Sequence, residues 1–233
     1  MFSSKAQVLN VIKSSLVQFK IPDMFFFKAT EFQSRSQEII DAIDKKYCGI
    51  EIIVRSSAAD EDGKTNSSAG EYESVLNVPS NNPEKITKAI NRVIASYEKK
   101  RPLMADDEVI IQEMVKNTTM SGVIFTYDLN TGAPYYVINY DDQSGLTDTV
   151  TSGGGEYANR TLYIHRNSIN KLRSERFTKL LQAVQELEKV MGSQFLDIEF
   201  ALGEDLTCSG LTNCSGPLIL DTFQATFSNS AIF

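Results

Sequence analysis

Hydrophobic positions recur along this chain with two different periods, and the places where the period changes mark out its elements. Val8, Leu9, Ile12, Leu16 and Phe19 are spaced as on one helix face, which predicts a helix over 6–19 closed by Ile21-Pro22. Phe25-Phe26-Phe27 reads as a short buried strand rather than an aromatic binding patch. Residues 32–46 form a second helical pattern with Ile39, Ile40 and Ile43 inward. An apolar run (Ile50, Ile52, Ile53, Val54) then ends on Arg55-Ser56-Ser57 and enters a long segment rich in Ser, Gly, Asp and Glu. Residues 72–78 alternate as a strand, and Pro79-Ser80-Asn81-Asn82-Pro83 is a turn. Ile86, Ala89, Ile90, Val93, Ile94 and Tyr97 form one stripe of an amphipathic helix over 83–99.

Beyond a loop at 101–107, two apolar runs at 109–115 and 122–126, joined by a polar turn, predict an antiparallel pair. Further strands are expected at 135–140 and 161–165, with a glycine-, serine- and threonine-rich loop at 145–155 between them. Residues 173–191 repeat the helical pattern, with Phe177, Leu180, Leu181, Val184, Leu187 and Val190 inward. A strand over 195–201 sets Asp197 and Glu199 on one face, because side chains two apart align on a strand. Antiparallel strands interleaved with helices predict an α+β architecture in two lobes, with a seam near 100–108.

Composition narrows the function classes. Hydrophobic residues make up 42% and charged residues 23%, the proportions of an ordinary globular protein. The net charge of −7 argues against broad nucleic-acid binding, which needs a positive surface to release counterions. The lysines on the outer face of the 83–99 helix read as solvation. Lys5, Asn10 and Lys13 interrupt the first turns, so neither a signal peptide nor a membrane partner is expected and a cytoplasmic enzyme domain fits best. Cys48, Cys208 and Cys214 are an odd number at unhelpful spacing, which indicates neither a disulfide framework nor a zinc site.

Several segments carry candidate chemistry. Arg55 offers a planar fork of donors suited to phosphate oxygens, and the hydroxyls beside it can add more; a solvated loop with a structural Arg–carboxylate pair is the alternative. Asp197 and Glu199 are hard oxygen ligands suited to Mg2+, or else solvent-facing acids of an ordinary strand. Gln112-Glu113-Met114-Val115 follows an apolar strand and can serve as a backbone hinge that reads an adenine edge. No Walker-type phosphate loop occurs, and Gly153-Gly154-Gly155 lacks the following helix a dinucleotide turn requires.

Taken in order, these segments resemble a known family. Val54-Arg55-Ser56-Ser57-Ala58, Ala69-Gly70, Leu76-Asn77-Val78, Gln112-Glu113-Met114-Val115, Ser121-Gly122-Val123-Ile124-Phe125-Thr126 and Asp197-Ile198-Glu199-Phe200 are similar to the N-terminal ATP-binding domain of phosphoenolpyruvate synthases and pyruvate phosphate dikinases. The likeness spans roughly residues 1–201. It implies an ATP-grasp fold, two α+β lobes that clamp ATP: an N-terminal lobe over 1–104 with the phosphate-binding arginine, a second lobe over 105–205 with the adenine hinge and metal ligand, and a divergent tail over 206–233. The stretches 132–142 and 147–153 look closest to synthase-like kinases of bacterial capsule gene clusters, among them L-glutamine kinase.

The resemblance also implies roles for particular residues, with ATP and Mg2+ as cofactors. Lys5 stands where the family has a phosphate-reaching lysine, although its Gly-Gly-Lys context is Ser-Ser-Lys here. Arg55, with Ser56, matches the phosphate-binding arginine segment, and Ala69-Gly70 the loop that closes over the triphosphate. Gln112, Glu113, Met114 and Val115 would line the adenine pocket, with Gly122 among the ATP contacts. Asp148 falls where the family carries a glutamate near the phosphates, and Glu199 matches the metal ligand. Two departures stand beside these matches. The Gln-x-Arg-Pro element of the family's next strand is missing, no arginine follows Arg176, and Gln224 is left unassigned. The family also passes the β-phosphoryl of ATP to a histidine on a separate domain, and a further domain binds the acceptor. His165, the one histidine here, reads as structural, so the expected partners are a phosphohistidine domain and an acceptor domain in cis or trans. The rival expectation is a degenerate, noncatalytic nucleotide-binding or interaction module.

Overall fold

In the computed structural model the described residues are 5–58, 72–147, 150, 160–203 and 218–225. They form two compact units, Met1–Asn10 with Pro22–Met114 and Val11–Ile21 with Val115–Phe233.

The first unit is a four-stranded antiparallel sheet under two helices. Strands β2 (Met24–Lys28), β3 (Glu51–Ser57), β4 (Val75–Pro79) and β5 (Glu108–Glu113) lie in the order β2-β5-β3-β4. Helices α2 (Phe32–Tyr47) and α3 (Pro83–Glu98) bury Ile39, Ile40, Ile43, Ile86, Ile90 and Val93 against Ile52, Val54, Val109 and Ile111. The start of α3 follows directly from its sequence: Asn82 accepts the Lys85 N–H at 3.0 Å, and Pro83 occupies the first turn, where its missing N–H costs nothing. Helix α2 closes on Cys48, in the left-handed region at φ 50°, followed by Gly49 at φ 86°.

The second unit is a six-stranded sheet in the order β1-β10-β9-β6-β7-β8. Its strands are β1 (Phe19–Lys20), β6 (Thr118–Phe125), β7 (Tyr135–Asp141), β8 (Arg160–His165), β9 (Leu196–Gly203) and β10 (Leu218–Ala225), with α4 (Glu175–Met191) alongside in sequence. Helix α4 buries Phe177, Leu180, Leu181, Val184 and Leu187 as the pattern predicts; Val190, expected inward, is 38% exposed in the last turn before Gly192 ends the helix.

Two expectations are corrected by pairing. The runs at 109–115 and 122–126 do not pair: β5 lies between β2 and β3, and β6 between β7 and β9. Strands β5 and β6 are buried along most of their length, and such strands need a neighbour on each edge, which a two-stranded hairpin cannot supply. The first helix, α1 (Lys5–Ile12), stops well short of Phe19, because Phe19-Lys20 pairs in parallel with Leu218-Ile219 and Val17 is left 89% exposed. The tail forms β10, antiparallel to β9, with Gln224 opposite Asp197 and Thr222 opposite Glu199.

Gly122 is fixed by this sheet. A Cβ at that position would lie 2.1 Å from the Asn139 carbonyl oxygen and 2.9 Å from the Tyr140 Cα, both backbone atoms that cannot step aside. Gly122→Ala is therefore expected to destabilise the protein by about 1–3 kcal/mol. A urea midpoint equal to that of the wild type would refute this account.

Candidate functional site

Strand alternation decides what Arg55 can do. Ile52, Val54 and Ser56 share one face of β3, and Ile52 and Val54 belong to the core beneath the helices. Ile53, Arg55 and Ser57 occupy the other face. In register, Arg55 lies opposite Ile110, Ile53 opposite Gln112 and Ser57 opposite Glu108. The face of this sheet opposite the Ile52–Val54 core thus brings together Arg55, Gln112, Glu108 and Ser57, although Arg55 and Gln112 are far apart in sequence. Ser56, expected beside Arg55 at phosphate, is directed by the same alternation toward Val54 and Val109.

The end of this face is closed by Tyr97, Ser57, Glu108 and Lys28. Tyr97, on α3 and fully buried, accepts the Ser57 N–H at 2.8 Å and donates to the Glu108 carbonyl at 2.6 Å. The Ser57 hydroxyl oxygen accepts the Ala6 N–H at 3.4 Å, which joins the start of α1, next to Lys5, to the end of β3. The Glu108 carboxylate is 2% exposed and pairs with Lys28 at 3.0 Å. Burial works to lower the Lys28 ammonium, but hydrogen bonds and charge from Glu108 and Asp106 outweigh it and hold it above its ordinary value. Apolar stripe counting registers Tyr97 as a core residue; the task of its hydroxyl is set by two strand ends that meet only in the fold.

Gln112 is the most informative residue of the face. It is 1% exposed, and among the described residues neither its amide nitrogen nor its carbonyl oxygen has a hydrogen-bond partner. A buried carboxamide with both functions unmet costs about 1–3 kcal/mol, so such groups are rare unless something else satisfies them. Next to it, Glu113 is exposed and ends β5, and the Met114 N–H bonds the Glu51 carbonyl at 3.0 Å; Met114 and Val115 are half-buried. A cavity of about 320 Å³ in this unit is lined by Phe25, Phe27, Ile39 and Ala42, is rimmed by Arg35 and Glu38 and reaches Lys28 and Glu108; it includes neither Arg55 nor Gln112.

In the second unit, β9 sets Asp197 (9% exposed) and half-buried Glu199 two apart on one face. Glu199 lies opposite Val123 of β6, and Val123 opposite Asn139 of β7, whose amide oxygen accepts from the Thr161 hydroxyl at 2.7 Å. Gly122 pairs with Phe200 and Tyr140, and its close approach to β7 accounts for the glycine. Beside this row, Asp142 is held by Arg160 and, at 2.9 Å, by Arg176. Burial raises the Asp142 carboxyl, but hydrogen bonds from Arg176 and Gln143 and the two guanidinium charges hold it below the usual carboxylate range. Among the described residues no group of three His, Cys, Asp or Glu could hold a metal unaided. Two carboxylates on one strand do fit Mg2+, which keeps a sparse protein shell and completes it with phosphate oxygens and water. Asp148, Ala69 and Gly70 lie outside the described residues, as does the side chain of Lys5.

The fold has counterparts. D-alanyl-alanine synthetase A from Vibrio cholerae aligns with 96% of this chain and 55% of its own at a TM-score of 0.50 and 15% identity. A dinucleotide-forming acetyl-coenzyme A synthetase from Ca. Korarchaeum cryptofilum aligns with 96% of this chain and 92% of its own at a TM-score of 0.53 and 8% identity. These likenesses establish the class as the α+β ATP-grasp fold. Residues 6–154, more than half of the chain, match the family described as pyruvate phosphate dikinase, AMP/ATP-binding domain, and the chain belongs to that family. Prodigiosin synthesizing transferase PigC of Serratia marcescens is 33% identical over 113 residues, which are 45% of this chain and 12% of that protein. No helix among the described residues is long and apolar enough to cross a membrane.

Proposed function

We propose that this chain is the Mg-ATP-binding domain of a synthase-like dikinase. In that reading ATP is cleaved to AMP and phosphate, and the β-phosphoryl passes to a histidine on a separate domain and then to a small acceptor, with the amide of L-glutamine favoured and pyruvate next. Gln112 to Val115 would line the adenine pocket, and the first unit would supply Arg55 and Lys5 for the phosphates and Ala69-Gly70 to cover them. The second would supply Glu199, with Asp197 beside it, toward Mg2+, and Asp148 near the phosphates. When bound, Mg2+ would neutralise charge on the phosphate oxygens as the phosphoryl group leaves. Arg55 would add a fixed, oriented charge that needs no reorganisation during transfer. A cytoplasmic location, where ATP is supplied, is part of this proposal. The alignment with a transferase, PigC, agrees with an activity of the transferase class.

The observation that carries the proposal is the unmet carboxamide of Gln112. It offers a donor and an acceptor side by side, the pattern an adenine edge presents in reverse. Replacing Gln112 with methionine, close in shape but without the amide, is expected to act in opposite directions. The apo protein should gain about 1 kcal/mol or more in stability, because an unsatisfied buried group is removed. Affinity for ATP should fall by roughly tenfold. Calorimetric titration together with thermal melting checks both, and an ATP affinity unchanged in Gln112→Met would count against the adenine pocket.

A second reading, a noncatalytic nucleotide-binding module, is favoured by one feature. Strand β10 runs beside β9, where the family's Gln-x-Arg-Pro strand is expected, yet it contains no arginine. The two readings part on turnover: release of AMP and phosphate by the full-length protein supports the first, and tight ATP binding without release supports the second.

A further inference from the structure

We infer that the buried hydroxyl of Tyr97 is a positioning group for the phosphate end of the nucleotide site, an inference that rests on the ATP-binding role proposed for Arg55. The β3–β5 ladder ends at the Ser57–Glu108 pair, two residues beyond Arg55. At that pair the Ser57 N–H and the Glu108 carbonyl are joined through the Tyr97 oxygen, which accepts from one at 2.8 Å and donates to the other at 2.6 Å. A single hydroxyl therefore sets how far apart the two strand ends lie, and with them the direction in which the chain leaves Arg55.

The same node reaches α1. The first N–H groups of a helix have no partner within it, and here the Ser57 hydroxyl oxygen accepts one of them, from Ala6, across 51 positions of sequence. The residue before Ala6 is Lys5, so the backbone carrying each candidate phosphate cation of this unit, Lys5 and Arg55, is tied to one frame: Tyr97 to Ser57, and Ser57 to Ala6. The Tyr97 ring is held in turn by Tyr72, whose ring packs edge-on at 5.1 Å. Phenylalanine would fill the same space and keep that contact, but it would leave a buried amide and a buried carbonyl to find each other directly, which draws the strand ends together.

The test compares Mg-ATP with AMP, because only ATP engages the β- and γ-phosphate contacts. In the 233-residue chain, Tyr97→Phe is expected to weaken Mg-ATP by about tenfold and leave AMP unchanged, so the ATP-over-AMP preference drops about tenfold. Hydrogen exchange at the Ser57 amide should accelerate in the same variant. Tyr47→Phe removes a different buried hydroxyl, one that donates to the Ile111 carbonyl at 2.7 Å, and serves as the matched control. It should lose comparable stability and keep the wild-type preference, since a general loss of folded protein scales both affinities alike. Ser57→Ala, which spares Tyr97 and removes only the bond to α1, should shift the preference in the same direction by a smaller factor, and it decides the matter if Tyr97→Phe does not fold. A wild-type preference in Tyr97→Phe alongside a collapsed one in Arg55→Ala overturns the role of Tyr97 alone. An intact preference in Arg55→Ala overturns the phosphate site itself, and this inference with it.

Discussion

Arg55→Ala is expected to raise the dissociation constant for Mg-ATP by roughly 30- to 100-fold while changing that for AMP by less than about threefold. The magnitude follows from what is removed. A guanidinium bonded to a phosphate oxygen makes a charge-assisted hydrogen bond worth about 1.5–3 kcal/mol, and the loss expected here is that of one such bond. The contrast between nucleotides follows from where Arg55 stands. It lies on the face of the first sheet opposite the Ile52–Val54 core, two residues along β3 from Ile53, the partner of Gln112. Loss of Arg55 should therefore leave an adenine contact at Gln112 untouched. Arg55→Lys should recover only part of the affinity, because an ammonium is a point charge and cannot pair with two oxygens in one plane. Calorimetry with ATP and AMP on the three proteins checks this, and equal ATP affinity in wild type and Arg55→Ala would sink the assignment.

The largest effect on stability is expected at Arg166. Its guanidinium bonds both oxygens of Glu188 at 2.7 and 2.9 Å and the Thr126 carbonyl at 2.8 Å. It also lies 4.5 Å from the Tyr136 ring and 4.8 Å from the Tyr127 ring. Glu188 is 8% exposed and accepts from the Tyr136 hydroxyl at 3.1 Å. Burial, together with the Glu188 charge, pushes the Tyr136 phenol well above its ordinary value, so it remains a donor across the accessible pH range. Arg166→Ala strands a buried carboxylate and removes the stack between two rings, at a cost of about 3–5 kcal/mol. At about 2–4 °C per kcal/mol for a chain of this size, the melting temperature should fall by roughly 10 °C. Arg166→Met with Glu188→Leu should regain part of that loss, since removing both charges leaves no buried charge unpaired, although the Thr126 carbonyl and the Tyr136 hydroxyl each lose a partner. A double variant no more stable than Arg166→Ala would show that the stacking, rather than the stranded carboxylate, carries the loss.

Much of the local structure was legible in the sequence. The stripe from Ile86 to Tyr97, the Asn82-Pro83 helix start, the Phe25–Phe27 strand and the inward face of α2 depend on periodicity and capping, which act within a few residues. The order of short motifs around Arg55, Gln112 and Glu199 was also legible, and it pointed to the family that residues 6–154 match. What misled the reading was long-range pairing. Leu16 and Phe19 have helical spacing, yet the backbone at Phe19 is claimed by β10, about two hundred residues away. The runs at β5 and β6 look like a hairpin from their spacing, but each is a central strand of a different sheet.

By itself the sequence determined most of the elements, the family and the residue types available for phosphate and metal chemistry, because helix caps, apolar periods and short motifs act over distances the chain spells out locally. Only the tertiary structure decided which of those residues share a face. Strand alternation and register set Arg55 with Gln112 and turned Ser56 toward the core. The fold also gave Tyr97 its task, since the amide of Ser57 and the carbonyl of Glu108 become one problem only when two distant strands are brought side by side. The physical reason is that a buried polar group must be satisfied wherever the fold places it, and no local pattern records where that will be.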